Sequence, residues 1–98
     1  MLVLVCYDVA ADQADKEGPK RLRRISEACK DHGVRVQYSV FECRLAEREW
    51  VVLRARLLKE FDPAADSLRF YFLREDAAAR TEHHGVRPPL DLSGPLIL

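Results

Sequence analysis

The sequence predicts an α+β sandwich, in which a mostly antiparallel sheet carries two helices on one face. Two observations lead to this fold. Segments with strand patterns alternate with two segments whose apolar residues recur at helical spacing, in the order strand, helix, strand pair, helix, strand. The chain has 98 residues, which is enough for one compact core and too few for two. This order of elements is typical of the ferredoxin-like class.

The first strand is predicted at residues 2–8, an apolar run that ends at Asp8. Because the run is apolar at consecutive positions, we expect both faces of this strand to be covered. The first helix begins near Pro19, a residue suited to a first helical turn, and ends at His32 and Gly33. Its core stripe consists of Leu22, Ile25 and Cys29.

Residues 34–43 alternate and are rich in β-branched and aromatic side chains, which predicts strand with a break near Tyr38 and Ser39. Apolar residues at helical spacing predict a second helix over residues 46–61, and a third alternating strand follows at 67–73. We divide the chain into a ferredoxin-like domain, residues 1–80, and a C-terminal dimerisation tail, residues 81–98. The tail is predicted to contain a short extended piece at residues 82–85 and a final apolar strand formed by Pro95, Leu96, Ile97 and Leu98.

Charge is balanced over the whole chain, with sixteen basic and sixteen acidic side chains, but it is unevenly distributed. Residues 16–35 are net positive, and arginines outnumber lysines along the chain. The planar guanidinium suits bidentate phosphate contacts, so this distribution points to a phosphate-bearing partner. A solvated helix face is the alternative explanation.

Three cysteines, an odd number without metal-like spacing, fit buried thiols in a reducing cytoplasm better than a disulfide framework. No apolar segment approaches the roughly 18 to 20 residues of a membrane helix, and the N-terminal apolar run lacks the flanks of a signal peptide. We therefore expect a cytoplasmic protein that does not enter a membrane. An uncovered sheet face and a detached apolar tail both require burial, which favours a homodimer in which the tail joins the partner's sheet edge.

Several segments of the chain together resemble a known family. They are the strand ending in Tyr7 and Asp8, the basic helix at residues 20–24, the run after Gly33 with the pattern Arg-x-Gln-x-Ser-Val-Phe-Glu, the strand at residues 66–71, and the end of the chain. In order and spacing they are similar to the small ferredoxin-like CRISPR-associated protein of the spacer-adaptation machinery, the partner of the CRISPR integrase. The resemblance implies a homodimer, a divalent metal and a role in capturing new spacer DNA.

The resemblance makes Asp8 the candidate catalytic and metal-binding residue, because it stands where the family has its metal-binding aspartate. One carboxylate is a poor magnesium site, but two-fold symmetry can bring two copies together around one Mg²⁺ or Mn²⁺. Without the resemblance, Asp8 would be explained as a residue that caps a strand end or a turn.

The resemblance also implies roles for five further residues. Arg21, Arg24 and Arg35 match basic positions that the family uses near nucleic acid, although Arg23 could replace one of them in the helix. Ser39 could bind a phosphate or a water near the metal, and Phe41 could line the site. Packing in a core or an interface is the competing explanation for Phe41.

Two functions from different classes remain open at this point. One is a magnesium-dependent endonuclease acting on single-stranded RNA or duplex DNA, for which Asp8 is essential. The other is a scaffold that binds duplex prespacer DNA without reading bases while the CRISPR integrase docks on the dimer. We favour the scaffold as the biological role, with nuclease chemistry as a condition-dependent capability. An unrelated alternative is a ferredoxin-like regulatory or small-ligand-binding domain without nuclease activity.

Overall fold

A computed structural model of the chain describes residues 1–10 and 16–86. In these ranges the chain forms strands and helices in the predicted order, followed by one short 3₁₀ turn at Ala78–Arg80. The strands are β1 (Leu2–Asp8), β2 (Val34–Gln37), β3 (Val40–Arg44) and β4 (Ser67–Leu73), and the α-helices are α1 (Gly18–His32) and α2 (Glu47–Glu60).

The strands form one antiparallel sheet in the order β2-β3-β1-β4, so β1 is central. A two-residue turn at Tyr38 and Ser39 joins β2 to β3, which confirms the predicted break. Gly33, between α1 and β2, lies so close to β3 that a Cβ there would be 2.5 Å from the Sγ of Cys43 and 2.5 Å from the carbonyl oxygen of Glu42. The predicted α+β, ferredoxin-like class is confirmed.

Both helices pack on the same face of the sheet and enclose the core. Val3, Val5 and Tyr7 of β1 point into this core, because alternate residues of a strand face the same side. On α2, the Trp50 ring meets the rings of Phe70 and Phe72 edge-on, at centroid distances of 4.8 and 5.5 Å. These contacts hold α2 against β4.

The other side of the sheet, which we call the open face, has no helix over it in the described residues. Leu4 and Cys6 of β1 are half-buried there, and the neighbouring Tyr71 and Leu73 of β4 are 42% and 37% exposed. The predicted cover on the second face of β1 is therefore not provided by the residues that the structure describes. An apolar run marks a strand that must be covered on both sides, but it does not say whether the same chain provides the cover.

After β4 the described chain is largely irregular. Residues 81–86 form no strand, so the extended piece predicted at residues 82–85 pairs with nothing that the structure describes. The predicted strand at Pro95, Leu96, Ile97 and Leu98 lies outside the described residues. Neither of the two described α-helices is long and apolar enough to cross a bilayer.

Candidate metal and nucleic-acid site

Asp8 is the last residue of β1 and is exposed. It lies on the open face, in register with Ser67 at the start of β4. Within the described parts of the chain, no side chain forms an ion pair or hydrogen bond with its carboxylate. The carboxylate is therefore presented at one end of the open face.

Directly behind Asp8 lies an ion pair between Arg21 of α1 and Asp66. Arg21 donates from Nε to one carboxylate oxygen at 2.9 Å and from Nη2 to the other at 3.1 Å. Asp66 also accepts hydrogen bonds from the backbone N–H groups of Ala10, at 3.0 Å, and Asp62, at 2.8 Å. Its side chain has no exposed surface. Although burial raises the pKa of Asp66, these hydrogen bonds and the Arg21 charge outweigh it and leave the pKa below its usual range.

Arg21 therefore forms a structural ion pair that the sequence did not predict. Its side chain is 11% exposed and much of its guanidinium is engaged by Asp66. The proposed phosphate contact of Arg21 stays a prediction. Asp66 itself was not among the predicted site residues; its sequence signal was an acid placed just before an alternating strand and four residues after the Asp62-Pro63 helix stop.

Arg35 connects β2 to α1 and to the core. Its Nη2 donates to the hydroxyl of Ser26 at 2.6 Å, while its guanidinium lies 5.0 Å from the centre of the Phe41 ring and 5.9 Å from that of Tyr38. These contacts orient the guanidinium, because a cation over an aromatic face is held by the ring quadrupole. Arg35 is exposed, so it remains able to meet a phosphate.

Phe41 is wholly buried and stacks near Tyr7, with ring centroids 6.2 Å apart. It is thus a core residue that touches the site through Arg35. Ser39 is half-buried, and its carbonyl oxygen accepts the backbone N–H of Tyr7 at 3.1 Å. Ser39 therefore lies next to the strand end that carries Asp8.

Between α1 and the β2–β3 turn runs an open groove with an apolar floor and a largely basic rim. Its polar rim contains Arg23, Lys30, Arg35 and one acid, Glu27. Arg24 lies elsewhere on α1, half-exposed, with its Nη1 3.8 Å from the Glu60 carboxylate of α2. Because such an exposed pair is weak, the Arg24 guanidinium can exchange Glu60 for a phosphate. The groove brings Arg35 and Ser39 together beside Tyr7 on the helix side of the sheet, and Asp8 is not among the residues that line it.

The side chains available as ligands determine whether a divalent cation fits at the Asp8 end of the open face. In residues 1–10 and 16–86, no three histidine, cysteine, aspartate or glutamate side chains are grouped in a way that could hold a metal ion. An exposed carboxylate is nevertheless a suitable hard ligand, and one is available at Asp8. The residues present therefore fit a divalent cation only if a second copy contributes its own Asp8.

The cysteine thiols do not offer an alternative nucleophile. Burial raises the pKa of Cys29 to about 12 and that of Cys43 to about 11, so both are protonated at neutral pH. Cys6, half-buried on the open face, also has its pKa raised by burial.

Comparison with known proteins identifies the family. The family model described as CRISPR associated protein Cas2 matches residues 1–81. The chain is 53% identical, over the full length of both proteins, to the CRISPR-associated endoribonuclease Cas2 of Chlorobaculum tepidum. It is 42% identical over 97 residues, covering 99% of each chain, to the CRISPR-associated endonuclease Cas2 of Halalkalibacterium halodurans.

A solved structure agrees with these sequence matches. The crystal structure of Streptococcus pyogenes Cas2 superposes with a TM-score of 0.75 at 44% identity, covering 87% of this chain and all of that one. The predicted resemblance is thereby confirmed over the sheet, both helices and the strand end that carries Asp8. The chain belongs to the CRISPR-associated protein Cas2 family.

Proposed function

We propose that this protein acts in CRISPR adaptation as a homodimer that binds nucleic acid and hydrolyses phosphodiester bonds with a divalent cation held between two Asp8 carboxylates. The observation that carries the proposal is the exposed Asp8 carboxylate at the end of the open face. Relatives named endoribonuclease and endonuclease support cleavage of RNA or DNA as the activity.

Residues of the open face support the proposed dimer. Leu4, Tyr71 and Leu73 are apolar residues of this face, which also carries Glu42 and Arg69, and a second copy would remove them from water. A two-fold axis over this face makes the contact self-complementary and brings the Asp8 ends of two β1 strands toward each other. The tail at residues 94–98 would add its apolar side chains to the partner.

In this dimer the roles of the residues can be separated. When bound, Mg²⁺ or Mn²⁺ would supply Lewis acidity to the scissile phosphate and lower the pKa of a water. The two Asp8 carboxylates would hold the cation and balance its charge. Arg35, fixed by Ser26 and the Phe41 ring, binds a phosphate of the same nucleic acid at the groove on the helix side of the sheet. The Ser39 hydroxyl donates a hydrogen bond to a phosphate oxygen.

A second function, scaffolding, is favoured by a separate observation. Arg23, Arg24 and Lys30 lie on the exposed surface of α1, away from the open face. A dimer presents two such surfaces, which suits binding of a duplex prespacer through its backbone while CRISPR integrase subunits dock on the dimer. We favour scaffolding as the biological role, because it needs the basic side chains and the dimer but not Asp8.

Asp8→Asn tests the nuclease. The neutral amide is a weak ligand for a hard cation, so magnesium-dependent cleavage of RNA and duplex DNA should be lost while duplex binding persists. A mixed dimer with one unaltered chain distinguishes a shared ion from two separate sites: sharing predicts near-complete loss, and separate sites predict about half the activity.

Asp31→Asn provides the control, since Asp31 is an exposed carboxylate at the far end of α1. It should cleave like the unaltered protein. Half activity in the mixed dimer would refute the shared cation. Full activity with Asp8→Asn in both chains would refute the nuclease site and leave the scaffold.

A further inference from the structure

The Arg21–Asp66 pair holds the chain immediately beyond Asp8. The N–H of Ala10 donates to Asp66 Oδ1 at 3.0 Å, and the carbonyl oxygen of Ala10 accepts a hydrogen bond from Arg21 Nη2 at 3.3 Å. Both backbone polar groups of Ala10 are therefore bound by the two members of one buried ion pair. Ala10 is two residues after Asp8, so this anchor fixes where the strand end points.

The sheet by itself supports Asp8 on one side only. On the β3 side, support of β1 ends one residue before Asp8, at the Tyr7 N–H that donates to the carbonyl oxygen of Ser39, whereas pairing with β4 continues to Asp8 and Ser67. A strand end held along one edge can twist about that edge. The Ala10 anchor supplies the second point of support, and Asp66, which provides it, directly precedes Ser67 in the chain.

Asp66 is itself held by three parts of the fold. Arg21 comes from α1, the Asp62 N–H comes from the turn after α2, and Asp66 begins the chain that enters β4. A bidentate guanidinium–carboxylate pair has a defined geometry, and here it is closed off from solvent. The anchor is consequently tied to both helices and to the sheet.

We propose that Asp66 and Arg21 are positioning residues for Asp8, which set the direction of its carboxylate by binding Ala10. This inference rests on the proposed function, in which two Asp8 carboxylates share a cation. Symmetry repeats a displacement of one strand end in the other protomer. The distance between the two Asp8 carboxylates therefore changes by up to twice the displacement of one of them. Metal sites tolerate little such error, and outer residues that orient ligands commonly change affinity or activity by about 10- to 100-fold.

Two conservative substitutions test the proposal in the full-length dimer. Arg21→Lys keeps the charge but loses the fork that binds Asp66 and Ala10 together. Asp66→Asn turns one acceptor oxygen into an NH₂ group, which cannot accept the N–H donors that now meet there. Each should weaken Mn²⁺ binding, measured by calorimetry, by about tenfold or more. Amide hydrogen exchange at Ala10 should become faster in both.

Kinetics separate positioning from substrate binding. In both variants kcat for cleavage should fall by about tenfold or more. In Asp66→Asn, which leaves Arg21, Arg24 and Arg35 unaltered, KM for the oligonucleotide should stay within about twofold. All measurements are made where each variant is fully folded by circular dichroism. Ile25→Val, a core substitution on the same helix, controls for general loss of stability and should leave both Mn²⁺ affinity and kcat unchanged.

A second arginine–aspartate pair serves as a control for the general effect of altering an ion pair. Arg56 and Asp31 form an exposed pair of 2.8 Å between α2 and α1, so Arg56→Lys and Asp31→Asn should have no effect on Mn²⁺ binding. If Asp8→Asn abolishes Mn²⁺ binding but Arg21→Lys and Asp66→Asn leave it within twofold, the positioning role is refuted and the proposed function stands.

Failure of the proposed function would give a different set of results. If Asp8→Asn leaves Mn²⁺ binding unchanged, the proposed function fails, and NMR then decides the positioning role alone. Shifted Asp8 backbone resonances and faster Ala10 exchange in Arg21→Lys and Asp66→Asn support it. Unchanged Asp8 and Ala10 signals refute it.

Discussion

The carboxylate of Asp66 joins α1, the turn after α2 and the end of β1, and it makes the stability of the protein sensitive to acid. Hydrogen bonds from Arg21, Asp62 and Ala10 keep its pKa below the usual range despite burial. A carboxyl group whose pKa is lower in the folded chain than in the unfolded chain stabilises the fold above the unfolded pKa, and this contribution is lost as pH falls.

We therefore predict that the free energy of unfolding decreases below about pH 4 and that Asp66→Asn flattens this part of the pH profile. Urea unfolding at several pH values measures both. Asp31→Asn, which changes an exposed carboxylate, should keep the profile of the unaltered protein. A profile equally steep in Asp66→Asn would contradict the prediction.

Gly33 is a second residue whose role the structure defines. Its backbone is extended, so any residue could adopt its conformation, but a Cβ would press on Cys43 and on the carbonyl of Glu42. We predict that Gly33→Ala lowers the free energy of unfolding by about 1 to 3 kcal/mol, as overpacking commonly does. Adding Cys43→Ala should not restore full stability, because the Glu42 carbonyl remains. Urea unfolding of the single and double variants checks this.

Single residues also show where sequence reasoning stops. The position of Asp8 at the end of a strand could be predicted, because Asp8 is the first acidic residue after an apolar run. The pairing of Arg21 with Asp66 joins residues 45 positions apart, and no local pattern encodes such a contact. Sequence patterns predicted that α1 would be basic, but the position of Arg21 on the buried side follows from the packing of α1 against the sheet and the turn after α2.

Among the elements, α1 and β2 carry the exposed basic side chains that we assign to nucleic acid. Arg24 and Arg35 are both accessible, although Arg35 is more tightly oriented by its neighbours. We predict that Arg24→Ala and Arg35→Ala each weaken binding to all sequences alike and lower the slope of log affinity against log salt by about one. Fluorescence anisotropy over a salt series gives the slopes.

Arg48→Ala supplies the control for that prediction, because Arg48 is an exposed arginine on α2. Its slope should match that of the unaltered protein. An Arg24 or Arg35 variant that changed sequence preference with an unchanged slope would argue against backbone binding.

Periodicity predicted the elements well, for physical reasons that differ between them. α1 ends at His32 as expected, since Gly33 and a β-branched run follow it. The β2–β3 turn falls at Tyr38 and Ser39, where the alternation of the strand is interrupted. The segment at residues 82–85 was predicted as a short extended piece, and it has no ladder partner among the described residues.

At the scale of the whole molecule, the proposed dimer depends on the open face. Leu4 lies at its centre, in register with Glu42 on one side and Tyr71 on the other. We predict that Leu4→Lys converts the dimer to a folded monomer, because a lysine can pair with Glu42 in the monomer but would have to be desolvated in the dimer. Sedimentation velocity and circular dichroism report the two properties.

Val52→Lys is the matched control, since Val52 is an exposed valine on α2, 59% accessible and away from the open face. It should leave the dimer intact. A Leu4→Lys protein that stays dimeric at micromolar concentration would show that the open face is not the interface. Truncation after Leu92 tests the tail independently, through the dimer dissociation constant and integrase docking.

The double attachment at Asp66 also has a consequence for engineering the protein. Ala10 and Arg21 contact the same carboxylate, so the connection between them starts and finishes at one anchored point. A fluorophore attached at Lys20, an exposed residue of α1 next to Arg21, should thus report on nucleic-acid binding at α1 without displacing the strand that carries Asp8.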